Sequence, residues 1–292
     1  MTVHDRRLTA ARPDLADIRL RGQVEAANFV AGRPARIAAP LVDLRRAPKA
    51  NAGLDTQLLR GADVVVFDIA DGWAWVQAGH DGYVGYVDAS ALGECAAEPT
   101  HIVASPRTFL YPGPDMKLPR TAALSLGSAV AVVGWAETRG THYALLDTGE
   151  SIFAGHIAAM DARAADYVTI AESLLGTPYL WGGVSAFGID CSGLVQMSMR
   201  MAGRAVLRDS DQQAATLGEP VDPGADLSGL RRGDLVFWKG HVGIMTDAET
   251  LIHANGHTMT VALEPLAAAV ERIGYLYAKP TLFRRPEPAS AQ

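Results

Sequence analysis

Three residues of this sequence combine in type and setting to make a nucleophile: Cys191, His241 and His253. Cys191 stands in the run Gly188-Ile189-Asp190-Cys191-Ser192-Gly193-Leu194. Asp190 is a good helix N-cap, so the sequence predicts a helix opening at Cys191 or Ser192. Leu194, Val195, Met197, Met199 and Met201 point to every side of that helix, which predicts that it is buried, with Gly203 as its stop. A cysteine in that place sits beside the first-turn N–H groups and the positive end of the helix field, both of which favour thiolate over thiol. A lone cysteine is more often a small buried hydrophobe. What sets Cys191 apart is the Gly182-Gly183 loop before it, the capping Asp190 and two downstream histidines.

His241 opens one short apolar segment and His253 lies in the next. Their midpoint is Asp247, so a hairpin turning there predicts the two histidines directly opposite each other, close enough for one imidazole to hold the other. His241 is then the proton partner of Cys191: base toward the thiol, acid toward a leaving amine. His253 accepts from the far ring nitrogen of His241 and fixes its tautomer, the three-part logic of serine and cysteine hydrolases. Two ordinary sheet histidines are the plain alternative. A zinc site of Cys191, His241, His253 and His257 is a third reading, against which stands the lack of any short zinc-ligand spacing near Cys191. The expectation is therefore a site with no metal and no cofactor.

The elements that must position these residues can be read around them. Val168, Ala171 and Leu175 fall at helical spacing and predict a helix over 163–175, ended by Gly176 and Pro178. Residues 204–232 read as loop with room for one short helix. Leu235–Trp238, Val242–Met245 and Leu251–Ala254 predict a small antiparallel sheet, with a later strand near Tyr275–Tyr277. Residues 286–292 read as a frayed tail. Upstream, 36–95 reads as a small β unit: a Val-rich run from Ala62 to Ile69, alternation in Trp73–Val76 and Tyr83–Val87, turns at Asp71-Gly72 and Asp81-Gly82. Residues 96–160 repeat the plan, with Gly127 echoing Gly61 and Tyr143–Leu146 echoing Trp73–Val76, which suggests tandem small barrels. Residues 1–35 read as an extended arm padding the surface of the domains C-terminal to it.

The chain has 292 residues, a formal charge of -6 and no basic patch interleaved with aromatics, which argues against nucleic acid as partner. Two cysteines, Cys95 and Cys191, cannot form a disulfide framework and are read as free thiols of a reducing compartment. No apolar run approaches a membrane span, and the charged N-terminus carries no apolar signal segment. The expected location is cytoplasmic.

The run Gly176-Thr177-Pro178-Tyr179-Leu180-Trp181-Gly182-Gly183, followed by Asp190-Cys191-Ser192-Gly193-Leu194, Arg208-Asp209-Ser210-Asp211-Gln212-Gln213, Gly233-Asp234-Leu235-Val236-Phe237-Trp238, His241-Val242-Gly243-Ile244 and Ile252-His253-Ala254, resembles the NlpC-type cysteine peptidases. These are papain-like enzymes that cut peptidoglycan stem peptides. The β units ahead of it resemble bacterial SH3-like domains. The resemblance implies two all-β SH3-like barrels (36–95 and 96–160) followed by an α+β papain-like domain over 161–285, its central helix packed on an antiparallel sheet. It implies Cys191 as nucleophile, His241 as base, His253 as orienting residue, and the Cys191 N–H and the Tyr179 hydroxyl facing the oxyanion. The implied substrate is a peptidoglycan-derived peptide, L-Ala-γ-D-Glu-diamino acid (meso-diaminopimelate), cut at the γ-D-glutamyl bond in wall-peptide recycling. Asp190, Ser192, Arg208 and Ser210 match substrate-side positions: Arg208 with two hydroxyls suits the free α-carboxylate of the glutamate, and Asp190 suits the amine of L-Ala. Tyr83, in Asp81-Gly82-Tyr83-Val84-Gly85-Tyr86, matches a tyrosine that the first β unit supplies. The sequence departs from the pattern at Leu207, where a proline is expected. It also offers no assignable second acidic partner for the amine beyond the candidates Asp55 and Asp81. The plain alternatives for these residues are capping by Asp190 and surface pairing by Arg208. The rival readings of the whole are a binding protein whose β domains anchor to wall fragments and whose catalytic site is idle, and another amidase or acyltransferase on the same scaffold.

Overall fold

The computed structural model describes residues 4–93 and 97–287. Cys95 and residues 288–292 of the expected tail lie outside the described residues. The chain divides into two compact units, Met1–Ala162 and Arg163–Gln292.

The first unit is β-structure throughout. A seven-stranded sheet runs in the order Leu54–Leu59, Leu41–Arg45, Val84–Asp88, Trp73–Ala78, Asp63–Ala70, Arg33–Ile37, Leu92–Gly93. Alternation supplies its core: Leu44, Leu58, Val64, Val66, Val76 and Val87 point inward and are buried together. A bulge between Val66 and Asp68 breaks the alternation, so Phe67 packs instead with Trp75 and Ala10. Residues 98–160 form a five-stranded and a three-stranded sheet over a second core of Val103, Leu110, Leu124, Val130, Leu146 and Ile152. The sequence echo is visible in the chain path. Val84–Asp88 passes through a 3-10 turn, Ala89–Ala91, into Leu92–Gly93. Ser151–Phe153 passes through Ala154–His156 into Ile157–Ala159 in the same way. The two halves meet where the Ala129 N–H donates to the Arg60 carbonyl (2.9 Å) and Arg60 pairs with Glu150 (3.1 Å).

The N-terminal segment is more ordered than an arm. Leu15–Asp17 and Asn28–Val30 pair in parallel, and Arg33–Ile37 is a strand of the large sheet, so the 35/36 boundary read from sequence falls inside a strand. The Arg12 guanidinium lies 4.5 Å over the Trp75 ring, and the Val84 N–H donates to the Arg7 carbonyl at 2.7 Å.

In the second unit the helices are α1 (Tyr167–Ser173), α2 (Cys191–Met201), α3 (Ser210–Thr216) and α4 (Leu266–Leu276). The six-stranded sheet has the order Glu219–Pro220, Leu282–Arg285, Leu235–Trp238, His241–Met245, Thr250–Asn255, Thr260–Pro265. Val236, Trp238, Met245 and Leu251 pack against Leu266, Ala269 and Ile273 of α4. The alternate residues Leu235, Phe237, Val242, Ile244 and Ile252 are buried too, so both faces are covered. Helix α2 packs on the His241–Met245 and Thr250–Asn255 strands and is buried on every side except at Arg200, as its spread of apolar residues requires.

The structure corrects two expectations. The segment near Tyr275–Tyr277 ends α4 rather than forming a strand, and the added strand is Leu282–Arg285. The first helix is shorter than 163–175: the Asp166 carboxylate accepts from the Val168 N–H (2.9 Å) and so starts it at Tyr167.

Candidate active site

Asp190 fixes the site from below. Its carboxylate caps α2 by accepting from the Gly193 N–H (2.7 Å) and draws in the preceding loop by accepting from the Gly182 N–H (2.8 Å). The loop approaches the helix so closely that a Cβ on Gly193 would sit 2.3 Å from the Gly183 carbonyl oxygen. Only glycine fits there. Cys191 follows as the first residue of α2, with 7% of its surface exposed.

The sulfur meets the sheet through a splayed hairpin. Lys239 and Gly240 make a two-residue turn, with Gly240 in the left-handed region at φ +76. The strand His241–Met245 then pairs with Thr250–Asn255 only at Ile244↔Ile252 and Met245↔Leu251. Beyond that the ladder stops, and the Val242 N–H points at the Cys191 sulfur, as does the Ser192 N–H. The sulfur is thereby held beside the residue that carries the imidazole.

His241 and His253 are brought together as expected, but not by direct opposition. The observed register centres the turn on Ala248 rather than Asp247, so in that register His241 faces Asn255. The two imidazoles touch on the diagonal, with His241 Nε2 2.8 Å from His253 Nδ1. His241 is half-buried between Trp238 and His253, at ring-centroid distances of 5.6 and 5.0 Å. His253 is fully buried.

The helix field does not leave Cys191 as a resting thiolate. Burial, with the Asp190 carboxylate nearby, pushes the thiol up to about 12 against the opposing pull of the Val242 N–H and Arg208. Burial and the neighbouring His253 push His241 down to about 3. Both shifts favour the neutral thiol–imidazole pair. Tyr179 is half-buried within the field of Cys191 and Asp190, and burial raises its hydroxyl, which stays a donor.

The remaining expected residues separate into two groups. Arg208, 1% exposed, is committed to Asp190 by a fork at 3.0 and 2.7 Å and also donates to the Ser192 hydroxyl (2.8 Å) and the Gly183 carbonyl (3.3 Å). The expected anion site at Arg208 and amine site at Asp190 are thus paired with each other, as buried opposite charges are. Ser210 is half-buried in the first turn of α3, behind the Asp209–Gln212 capping box. Tyr83 belongs to the first unit, 4% exposed within the barrel core, its N–H donating to Asp81 at 3.0 Å. Asp55 pairs with Arg46 at 2.6 Å, and the Asp81 carboxylate lies 3.2 Å from His80. His257 is drawn into a turn by its N–H to Asn255, and among the described residues no group of three or more His, Cys, Asp or Glu is arranged to hold a metal ion.

One residue escaped the sequence reading. Glu264 places Oε1 2.8 Å from His253 Nε2 and also pairs with Arg272 of α4. His253 and Arg272 hold its carboxyl down at about 2 against the effect of burial. The signal in sequence was the alternation of Val261, Leu263 and Pro265 around it, which marks a strand but not its register.

A cysteine at the head of a buried helix, packed on the two strands that carry an imidazole pair, makes this α+β domain a candidate thiol–imidazole site. Comparison with known proteins points the same way: residues 176–272 match the NlpC/P60 family and residues 44–92 match the bacterial dipeptidyl-peptidase Sh3 domain. It is 26% identical to dipeptidyl-peptidase 6 of Lysinibacillus sphaericus, over 75% of this chain and 86% of that one. It is 26% identical to the gamma-D-glutamyl-L-lysine dipeptidyl-peptidase of Bacillus cereus, over 73% and 71%. In fold it is similar to the crystal structure of an NlpC/P60 family protein from Bacillus cereus, with a TM-score of 0.72 at 24% identity over 88% of this chain and all of that one. Among the described residues no helix is long and apolar enough to cross a membrane.

Proposed function

We propose that this protein is a cysteine peptidase of peptidoglycan stem peptides that hydrolyses the bond between γ-D-glutamate and a diamino acid in peptides with a free N-terminal L-Ala. The thiol of Cys191 attacks the γ-carbonyl carbon while its proton passes to His241. The tetrahedral oxyanion takes hydrogen bonds from the Cys191 N–H and the Tyr179 hydroxyl, donors worth a few kcal/mol in such sites (about 3–4). Collapse breaks the amide bond, His241 returns the proton to the departing amine, and a thioester of L-Ala-γ-D-Glu remains. Water, deprotonated by His241, attacks the thioester, releasing the dipeptide acid and restoring the thiol.

The observation that carries this reading is the assembly at Cys191: the sulfur beneath the Val242 N–H, with His241 and His253 joined at 2.8 Å behind it. The curated relatives support the substrate class, since one is named for the γ-D-glutamyl-L-lysine bond. In this reading residues 96–160 are a second SH3-like barrel, Tyr83 helps select the free amine, and the enzyme salvages released wall peptides in the cytoplasm.

The test is incubation of the purified protein with L-Ala-γ-D-Glu-meso-diaminopimelate and with its L-lysine counterpart, following dipeptide release by mass spectrometry. Hydrolysis is expected for at least one peptide, with Cys191→Ala lowering it more than about 10^4-fold while the circular dichroism spectrum is unchanged. Hydrolysis of neither peptide, or a fully active Cys191→Ala, overturns the reading. Loss of activity in a chelator would transfer the chemistry to a metal.

A further inference from the structure

We propose that Glu264, clamped by Arg272 of α4, is a positioning residue for the imidazole pair: it fixes the His253 proton on Nε2 and thereby turns the lone pair of His241 toward Cys191. The proposal rests on the thiol–imidazole reading of the site and deepens it.

Donor and acceptor roles along the line are set from Glu264. Its Oε1 lies 2.8 Å from His253 Nε2, and Arg272 pairs with the same oxygen. The oxygen lies off the line of a ring N–H bond, so the contact is a close charge contact rather than a formed hydrogen bond; an ionised carboxylate at 2.8 Å still opposes a bare lone pair and favours a hydrogen on the fully buried His253 Nε2. A neutral imidazole has one N–H, which leaves His253 Nδ1 as an acceptor. The atom 2.8 Å away, His241 Nε2, must therefore donate, and His241 Nδ1 is left with its lone pair free to take the thiol proton. A tautomer set at Glu264 is thus read out at Cys191. When His241 becomes imidazolium during the reaction, the same chain places a carboxylate behind the new charge.

Geometry explains why this is a line rather than a cluster. His253 stands opposite Ala262, and Glu264 opposite Leu251, so His253 and Glu264 touch diagonally, just as His241 and His253 do. Arg272 comes from α4, the helix that covers this face of the sheet. The titratable and charged groups around the line are Cys191 with Asp190 and Arg208 behind it, Tyr179 from the glycine loop, the two histidines, Glu264 and Arg272. Glu264 and Arg272 act on His241 in opposite senses, the carboxylate favouring its protonated form and the guanidinium opposing it.

The experiment uses full-length protein and two readouts. The first needs no substrate: nitrogen-resolved NMR of the histidine rings, with the pH dependence of Cys191 alkylation by iodoacetamide followed at that residue by mass spectrometry. The second is kcat/KM against pH on the stem peptide. In wild type, His253 is expected as the Nε2–H tautomer. Glu264→Ala should mix its tautomers. Glu264→Gln keeps an acceptor but removes the charge, and should lower kcat/KM and the neutral-pH alkylation rate about 10- to 100-fold, the range known for losing the partner of a metal-bound histidine and carried over here to a metal-free pair. It should also move the acid limb of both profiles to lower pH. Arg272→Gln should move the limb to higher pH, and the double variant should return it toward wild type. A merely structural clamp would lower the melting temperature in each variant and leave tautomer and limb in place, which overturns the proposal. If wild type cleaves no stem peptide, the substrate assignment fails, while the NMR and alkylation results still decide the role of Glu264.

Discussion

At Cys191 two effects oppose each other. The helix N-terminus and two N–H groups favour the anion, while removal of the sulfur from water and the Asp190 carboxylate favour the thiol. The second pair prevails, because desolvation acts on the whole charge whereas each dipole offsets a fraction of it. With His241 held down at about 3, the resting pair is neutral and needs no prior ionisation. The kcat/KM profile on the stem peptide should therefore stay level as pH falls through 6.5 and decline only below it. A profile that falls with an apparent pKa near 6.5 would show that His241 titrates as an ordinary histidine. The same shift has a consequence for stability. His241 binds its proton less readily folded than unfolded, so the unfolded state gains protons first as pH drops below 6.5, and stability is lost from there toward about 3. Glu264 adds in the same direction: the stability from its depressed carboxyl is present above its ordinary value of 4.5 and lost as pH falls toward about 2. Urea midpoints should fall between pH 7 and pH 4, and His241→Asn, which removes one of these titrations, should make that slope shallower.

At the scale of elements, the entrance of α2 depends on the buried Asp190–Arg208 fork, which ties the glycine loop, the helix cap and the segment before α3 to one another. Arg208→Met leaves Asp190 buried without its counter-charge and should cost about 3–5 kcal/mol in urea denaturation. Asp190→Asn with Arg208→Met should cost less than the sum of the singles, because the pair is coupled. If Arg208 instead serves a substrate carboxylate, Arg208→Met would raise KM with stability intact. The sequence made α2, its cap and the three central strands legible because each has a local signal: a capping Asp190, an all-round apolar helix, short β-branched runs. Helix α4 was not legible. Its Ala267-Ala268-Ala269 stretch carries no strong period, and what makes it a helix is the sheet face it covers through Leu266, Ala269 and Ile273. The hairpin register was off by one position in the turn because Thr246–Thr250 holds no Gly or Pro to fix it. The Asp247 side chain, accepting from the N–H groups of Glu249 and Thr250, sets it instead. Glu264 was missed for a related reason: its partner His253 is found only when strand pairing is known.

At the scale of the molecule, every group assigned to bond cleavage lies in Arg163–Gln292, while Tyr83 lies in Met1–Ala162. In the proposed reading, the part given to Tyr83 can be tested apart from the chemistry at Cys191. Tyr83 packs its ring in the barrel core, so Tyr83→Ala would confound selection with folding. Tyr83→Phe keeps the ring and removes only the hydroxyl. If that hydroxyl helps hold the substrate amine, the variant should raise KM for L-Ala-γ-D-Glu-diamino acid about tenfold, the loss of roughly one hydrogen bond to a charged group, about 1.5 kcal/mol. Its kcat should stay within about twofold, since no reacting atom meets Tyr83 in this reading. The N-acetylated peptide, which lacks the charged amine, should be a poor substrate for wild type and no poorer for Tyr83→Phe, so the preference for the free amine narrows. Unchanged preference in a variant with a wild-type melting temperature would remove Tyr83 from amine recognition. It would move that task to groups of the second unit, where Asp190 is already occupied by Arg208.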